Sequence, residues 1–190
     1  MSAVRGWFAG VALAAVFGAR AVEPDAGPAI VLKTVPARHY LYTRHPIASI
    51  DEVTRIEWAF GPKIVKQARA LGVEQAGGVE YHVILRVPMH VDVALPVVRI
   101  PSDGDQALFK TTLPFECLAL VHTGSPLELA EPWARLQRAV TQRGYTASGE
   151  TRELIVSREG FDASRHVTEL QAGIQRSDAA SEPAEPRGGR

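Results

Sequence analysis

The side chains able to do chemistry in this sequence are few, and their spacing removes several classes at once. Six histidines occur, and imidazole is the commonest metal ligand and the usual base at neutral pH. His90 and Asp92 stand two apart on one strand face, and His39 and His45 flank a strand. No H-x-x-x-H sets two imidazoles on one helix face, and no Cys/His cluster has zinc spacing. His122 has no acid beside it in sequence that would make it a general base. The single Cys117 excludes an intramolecular disulfide and a multi-cysteine metal site. Its place on an alternating apolar face reads as a small buried hydrophobe. Neither a G-x-S-x-G elbow nor a phosphate-cradling glycine loop is present. What remains is a carboxylate and a set of rings. Glu153 lies in the strand-like run TRELIVS, where the residues alone describe a solvated glutamate bonded to nearby backbone. Tyr40, Tyr42, Trp58, Tyr81 and Trp133 supply aromatic faces, over which a cation gains about 0.5–2 kcal/mol per contact.

The elements that would position these groups are clearest between Pro114 and Gln175. Phe115, Cys117, Ala119 and Val121 alternate with Glu116, Leu118, Leu120 and His122, which predicts a strand. A helix follows. Ser125 and Glu128 form an S-x-x-E capping box, Pro126 falls at the first helical position, and Leu129, Trp133, Leu136 and Val140 make one apolar stripe. Gly144 stands where a left-handed residue would end that helix. Strands over Arg152–Ser157 and His166–Ile174 complete a strand-helix-strand-strand unit.

Residues 29–98 read as a second, worn copy of that unit. Val35-Pro36 begins a strand containing Tyr40 and Tyr42, as Leu113-Pro114 begins the later one, and Ser49 and Glu52 repeat the S-x-x-E cap. Leu71-Gly72-Val73 parallels Arg143-Gly144-Tyr145, and Gly77 parallels Gly149. Tyr81 to Ile84 parallels Glu153 to Val156, and His90 to Val93 parallels His166 to Glu169. Landmarks repeated in order describe an internal duplication. The first copy has a longer helical region, Ile50 to Leu71, where Gly61-Pro62 predicts a kink or two shorter helices. Residues 99–110 join the copies through the turn formers Pro101 and Ser102 to Asp105, and the second copy spans 111–176. Two such units predict one pseudo-twofold α+β domain with an antiparallel sheet, two main helices and a central cleft, a seam of the kind that hosts ligands.

Outside the domain, residues 1–21 have the pattern of a secretory signal: Arg5, a short apolar run from Trp7 to Gly18, and Ala19-Arg20-Ala21 as a cleavage site. The run is shorter than the roughly 20 apolar residues of a spanning helix. No stable membrane anchor is therefore expected after cleavage, and the mature chain is expected in the periplasm or the medium. Retention as an uncleaved anchor is the alternative. Residues 22–28 form a polar lead-in, and residues 177–190 lack the apolar side chains that would order a tail. The 190 residues carry a formal charge of zero and are 46% hydrophobic. That is ample for a core, and it lacks the basic excess that nucleic-acid binding requires.

The run H-T-G-S-P with E-x-W-x-x-L, then R-G-Y, T-R-E-L-I-V-S and V-T-E-L-Q resembles the GyrI-like small-molecule-binding family, which includes the effector-binding domains attached to AraC- and MerR-type transcription regulators. The resemblance implies a ligand cleft between the repeats. It makes Glu153 the counterpart of the family's middle-strand acid, facing that cleft, and Thr168 to Gln171 its closing T-E-L-Q element. It puts His122 in the family's H-x-G turn, as a turn or cleft residue. Leu154 and Ile155 depart from the aromatic that members often carry after the acid. No recognition-helix unit precedes the ligand-binding half, so a DNA-binding role is not carried over. The expectation is an exported protein holding a hydrophobic or cationic amphipathic ligand with Glu153, Trp133, Tyr81, Tyr42, Tyr40, Trp58 and His122, without a cofactor or metal. An enzyme hydrolysing reactive electrophiles, with Glu153 as general base and Tyr81 as partner, is an alternative. Haem binding, as in the SOUL family with its related duplicated fold, is another. The oligomeric state stays open, since an unpaired sheet edge admits a dimer.

Overall fold

The computed structural model describes residues 27–102, 105–158 and 163–176. The expected signal segment, most of the lead-in and the tail after residue 176 lie outside the described residues. Eight strands are present there: β1 Ile30–Val35, β2 His39–Pro46, β3 Glu80–Ile84, β4 His90–Val97, β5 Phe109–Thr111, β6 Phe115–Thr123, β7 Tyr145–Ser157 and β8 Val167–Arg176. Helix α1 is Val53–Ala70 and helix α2 is Ala130–Gln142. The fold is α+β, and every named strand pairing is antiparallel.

The strands form one sheet in the order β1-β6-β8-β7-β3-β4-β2-β5. Exchanging β2 with β6, β3 with β7, β4 with β8 and β5 with β1 reverses that order onto itself, as a duplicated strand-helix-strand-strand unit requires. The centre falls between β3 and β7, where Tyr81 is paired with Glu153. The edges depart from the sequence reading. β1, which leads into the first copy, pairs with β6 of the second, and β5, in the segment read as a join of turns, pairs with β2 of the first. Each copy thus receives its edge strand from outside itself. Phe109 of β5 is buried against the first copy's core, which fixes that strand where turn residues alone gave no reason for one.

Both helices lie on the same face of the sheet. α1 covers Leu41, Val91, Val93 and Leu95, while α2 covers Leu118, Leu120, Leu170 and Ile174. Burying a Leu or Val fully stabilises by about 1.5–3 kcal/mol, so these two clusters hold the helices down. The α2 stripe is as its spacing predicts: Leu129, Leu136 and Val140 are buried, with Trp133 packed against them. β6 buries both its faces, because Phe115, Cys117 and Ala119 join Val35 in a third cluster on the opposite side. The expected strand alternation there separates two buried faces rather than core from solvent.

The helix ends show which local signals acted. Gly72 and Gly144 both take left-handed backbone, with φ of 64° and 75°, just after α1 and α2. The Ser125 hydroxyl accepts from the N–H of Leu127, within a 3-10 turn at Pro126–Glu128 that leads into α2. In the first copy the serine is idle, and the Glu52 carboxylate instead reaches back to the N–H of Ala48 at 3.0 Å. α1 runs as a single helix through Pro62, not as two. At the adjoining Gly61 a Cβ would strike the Tyr81 hydroxyl, so the glycine lets β3 dock closely against α1.

Candidate functional site

A cleft of about 750 Å³ opens between α1 and α2 over the centre of the sheet. Val53, Thr54 and Glu57 of α1 form one wall, and Leu129, Ala130 and Trp133, at and within α2, form the other. Val83 of β3 and Thr151 and Glu153 of β7 form the floor. Ile50, Leu85 and Leu127 stand at the rim at 54%, 40% and 77% exposure. Apolar side chains left in water around a hollow mark a surface suited to an apolar ligand.

Two acids lie in this apolar setting. Glu153 is buried on the strand at the pseudo-twofold centre, and Glu57 is half-buried on α1. Burial pushes the Glu153 carboxyl well above the ordinary glutamate range, and the negative charge of Glu57 pushes it further. Burial likewise raises Glu57. The Arg158 guanidinium opposes both shifts. Arg158 is itself exposed and lies 5.8 Å from the centroid of the Trp58 ring. The cleft therefore holds two carboxyls that ionise reluctantly, with the exposed Arg158 guanidinium nearby. A ligand cation would favour their ionised forms in the same way.

Of the residues singled out from sequence, Glu153 and Trp133 line the cleft. Tyr81 is Glu153's cross-strand partner, but its ring is 1% exposed and its hydroxyl donates to the Glu57 carbonyl at 3.4 Å. Burial, with the Glu57 charge next, raises that phenol to about 12. Tyr81 thus ties the floor to α1 beside the site. Trp58 stands 60% exposed on α1, outside the lining. Tyr40 and Tyr42 are on the wrong side of the sheet: Leu41 between them packs under α1, so period two turns both rings away. The Tyr40 hydroxyl donates to Glu80 at 2.9 Å, and Tyr42 faces the ammonium of Lys110. His122 packs by Gly124 at the end of β6, with Nε2 buried, and does not reach the cleft. Among the described residues no group of three or more His, Cys, Asp or Glu is arranged to hold a metal, and no helix is long and apolar enough to cross a membrane.

Glu57 escaped the sequence reading. Its signal was present, since Val53, Glu57, Ile64 and Ala68 fall on one α1 stripe at i, i+4, i+11 and i+15. An acid on an apolar stripe is the anomaly that marks it.

No family model matches the sequence, and no curated protein matches it. Solved structures do match the fold. The C-terminal domain of EcmrR superposes with a TM-score of 0.64 at 15% identity, over 79% of this chain and 99% of that one. EcmrR in a DNA complex, EcmrR-RPo, gives 0.64 at 15%, over 78% of this chain; the match spans 58% of that longer protein. SAV2435 bound to tetraphenylphosphonium gives 0.60 at 9%, over 77% and 94%. The likeness is distant, and what it establishes is that this chain has the fold of the EcmrR C-terminal domain and of SAV2435.

Proposed function

We propose that this protein captures a hydrophobic or cationic amphipathic small molecule in the cleft between its two repeats. The observation that carries the reading is the pair Glu57 on one wall and Glu153 on the floor of a largely apolar hollow. Two reluctant carboxylates select a positive charge, and the surrounding apolar surface supplies most of the affinity, since micromolar binding needs about 8 kcal/mol. The fold shared with SAV2435, a protein solved with tetraphenylphosphonium, adds support for a bulky lipophilic cation. Calorimetric titration with tetraphenylphosphonium tests it, with triphenylphosphine oxide as a neutral comparator. Saturable binding of the cation, weakened in Glu153→Gln and Glu57→Gln, is the expected result. No binding, or equal binding of the neutral compound by all variants, overturns it.

The same acid supports a second reading, in which Glu153 activates water against a reactive electrophile. A carboxylate whose pKa is raised toward the working pH is suited to general-base catalysis. Turnover of an epoxide or activated ester, abolished in Glu153→Gln, would favour it over simple capture. We also propose export of the domain, on the signal pattern of residues 1–21; a mature mass beginning at Val22 is the expected result.

A further inference from the structure

The face of the sheet turned away from α1 and α2 carries buried charge that the cleft does not use. Glu80, His82, Asp92 and Arg152 are each no more than 3% exposed. Asp92 is already paired: Arg44 holds both its oxygens, at 2.8 and 3.0 Å, and Lys110 adds a third bond at 2.7 Å. His82 bridges Glu80 at 2.9 Å and Lys110 at 3.3 Å, one ring nitrogen to each. Arg152 is different. Its Nε donates to Glu150 at 2.7 Å and its guanidinium lies 3.8 Å from the Phe115 ring centroid, yet Nη1 is buried with no hydrogen-bond partner. An unused donor on a buried guanidinium is costly and calls for an acceptor.

Arg152 lines a pocket of about 360 Å³ on this face. The charged side chains around it are Arg44, Lys110 and Arg152 against Asp92 and Glu150, one positive charge in excess. His90 lies 3.9 Å from Asp92 at the same rim. Ile84, Leu113 and Phe115 give the pocket an apolar shoulder, with Leu113 84% exposed. We propose that this pocket is a second ligand site, independent of the cleft, for a small organic carboxylate. The carboxylate lies against Arg152 and Lys110, and its apolar body lies along Ile84, Phe115 and Leu113. A single excess positive charge matches a monoanion, whereas Asp92 and Glu150 would repel a phosphate dianion.

Titration of the purified protein with benzoate and with benzamide tests the site. Saturable benzoate binding with none by benzamide is expected. Arg152→Gln should abolish it. Because Arg152 is buried and its loss threatens the fold, Glu150→Gln provides the second arm. Glu150 competes for Arg152, so removing its charge should tighten benzoate binding about threefold or more. Gln171, the partner of Arg152 across β7 and β8, also has an unpaired Oε1. If those two atoms simply satisfy each other, native protein will not bind benzoate and Glu150→Gln will create no binding. That result, or equal binding of benzamide, overturns the proposal.

Discussion

Replacing Glu153 by Gln should move ligand affinity and stability in opposite directions. A monocation about 4 Å from an ionised Glu153 gains roughly 4 kcal/mol at an effective dielectric near 20. Desolvation takes part of that back and leaves roughly 1.5–3 kcal/mol of charge attraction. Glu153→Gln should therefore weaken tetraphenylphosphonium about 10- to 100-fold and leave triphenylphosphine oxide within about twofold. The raised carboxyl adds a pH signature. Binding a cation requires Glu153 to ionise, so affinity should strengthen as pH rises from the ordinary glutamate value of 4.5 toward the raised value in the fold. The gain cannot exceed about tenfold per pH unit per proton released. Calorimetry in buffers of different ionisation enthalpy reads that proton directly. Without ligand the sign reverses. A carboxyl whose folded pKa is raised favours the fold below its unfolded pKa, and that contribution disappears as pH climbs through the folded value. Glu153→Gln should thus raise the Tm at pH 8 and leave it nearly unchanged at pH 4. Equal loss of the cation and the neutral compound, or cation binding that does not vary with pH, would refute the role of this acid.

Other consequences test the frame. Gly61→Ala should destabilise by about 1–3 kcal/mol through overpacking, and Tyr81→Phe in the same chain should recover most of it, because the hydroxyl is the atom a Cβ would strike; chemical denaturation of the four-member cycle measures the coupling. Gly72→Ala and Gly144→Ala meet no neighbour within 4 Å, so each should cost about 1–2 kcal/mol from left-handed backbone alone, equally in both copies. Asp92 is held near 2: burial raises it, but Arg44 and Lys110 more than offset that. Its stabilising contribution should be complete above the unfolded value of 3.8 and lost as pH falls through about 2. Asp92→Asn should flatten that acid limb in a pH series of melts and, by taking the carboxylate from half-buried Lys110 and exposed Arg44, cost about 1–3 kcal/mol at neutral pH.

Local grammar was written plainly in this chain. The repeat of strand, helix and two strands, the α2 stripe and the two left-handed glycines all follow from interactions within a few residues, which a sequence displays directly. Trp133 was found for the same reason, on an apolar helix stripe, whereas Glu153 came only through the family resemblance, since the residues alone describe a solvated strand glutamate. What lay across the sheet was not legible. Alternation says that Tyr40, Leu41 and Tyr42 point to alternating faces, but only the docking of α1 on Leu41 decides which face meets the cleft. The pairing of β1 with β6 and of β5 with β2 depends on contacts between distant segments, and an edge strand carries no mark of its partner. Arg158 gained its part in the same way, and Glu57 in part: its place on an apolar stripe was readable, its loss of water was not. A glutamate on a helix and an arginine after a strand are ordinary solvated residues until packing removes water around one and brings the charge of the other near. The sequence determined the repeating unit; the closing of two such units on one another decided where charge is buried, and burial is what turns a carboxylate into a candidate binding group.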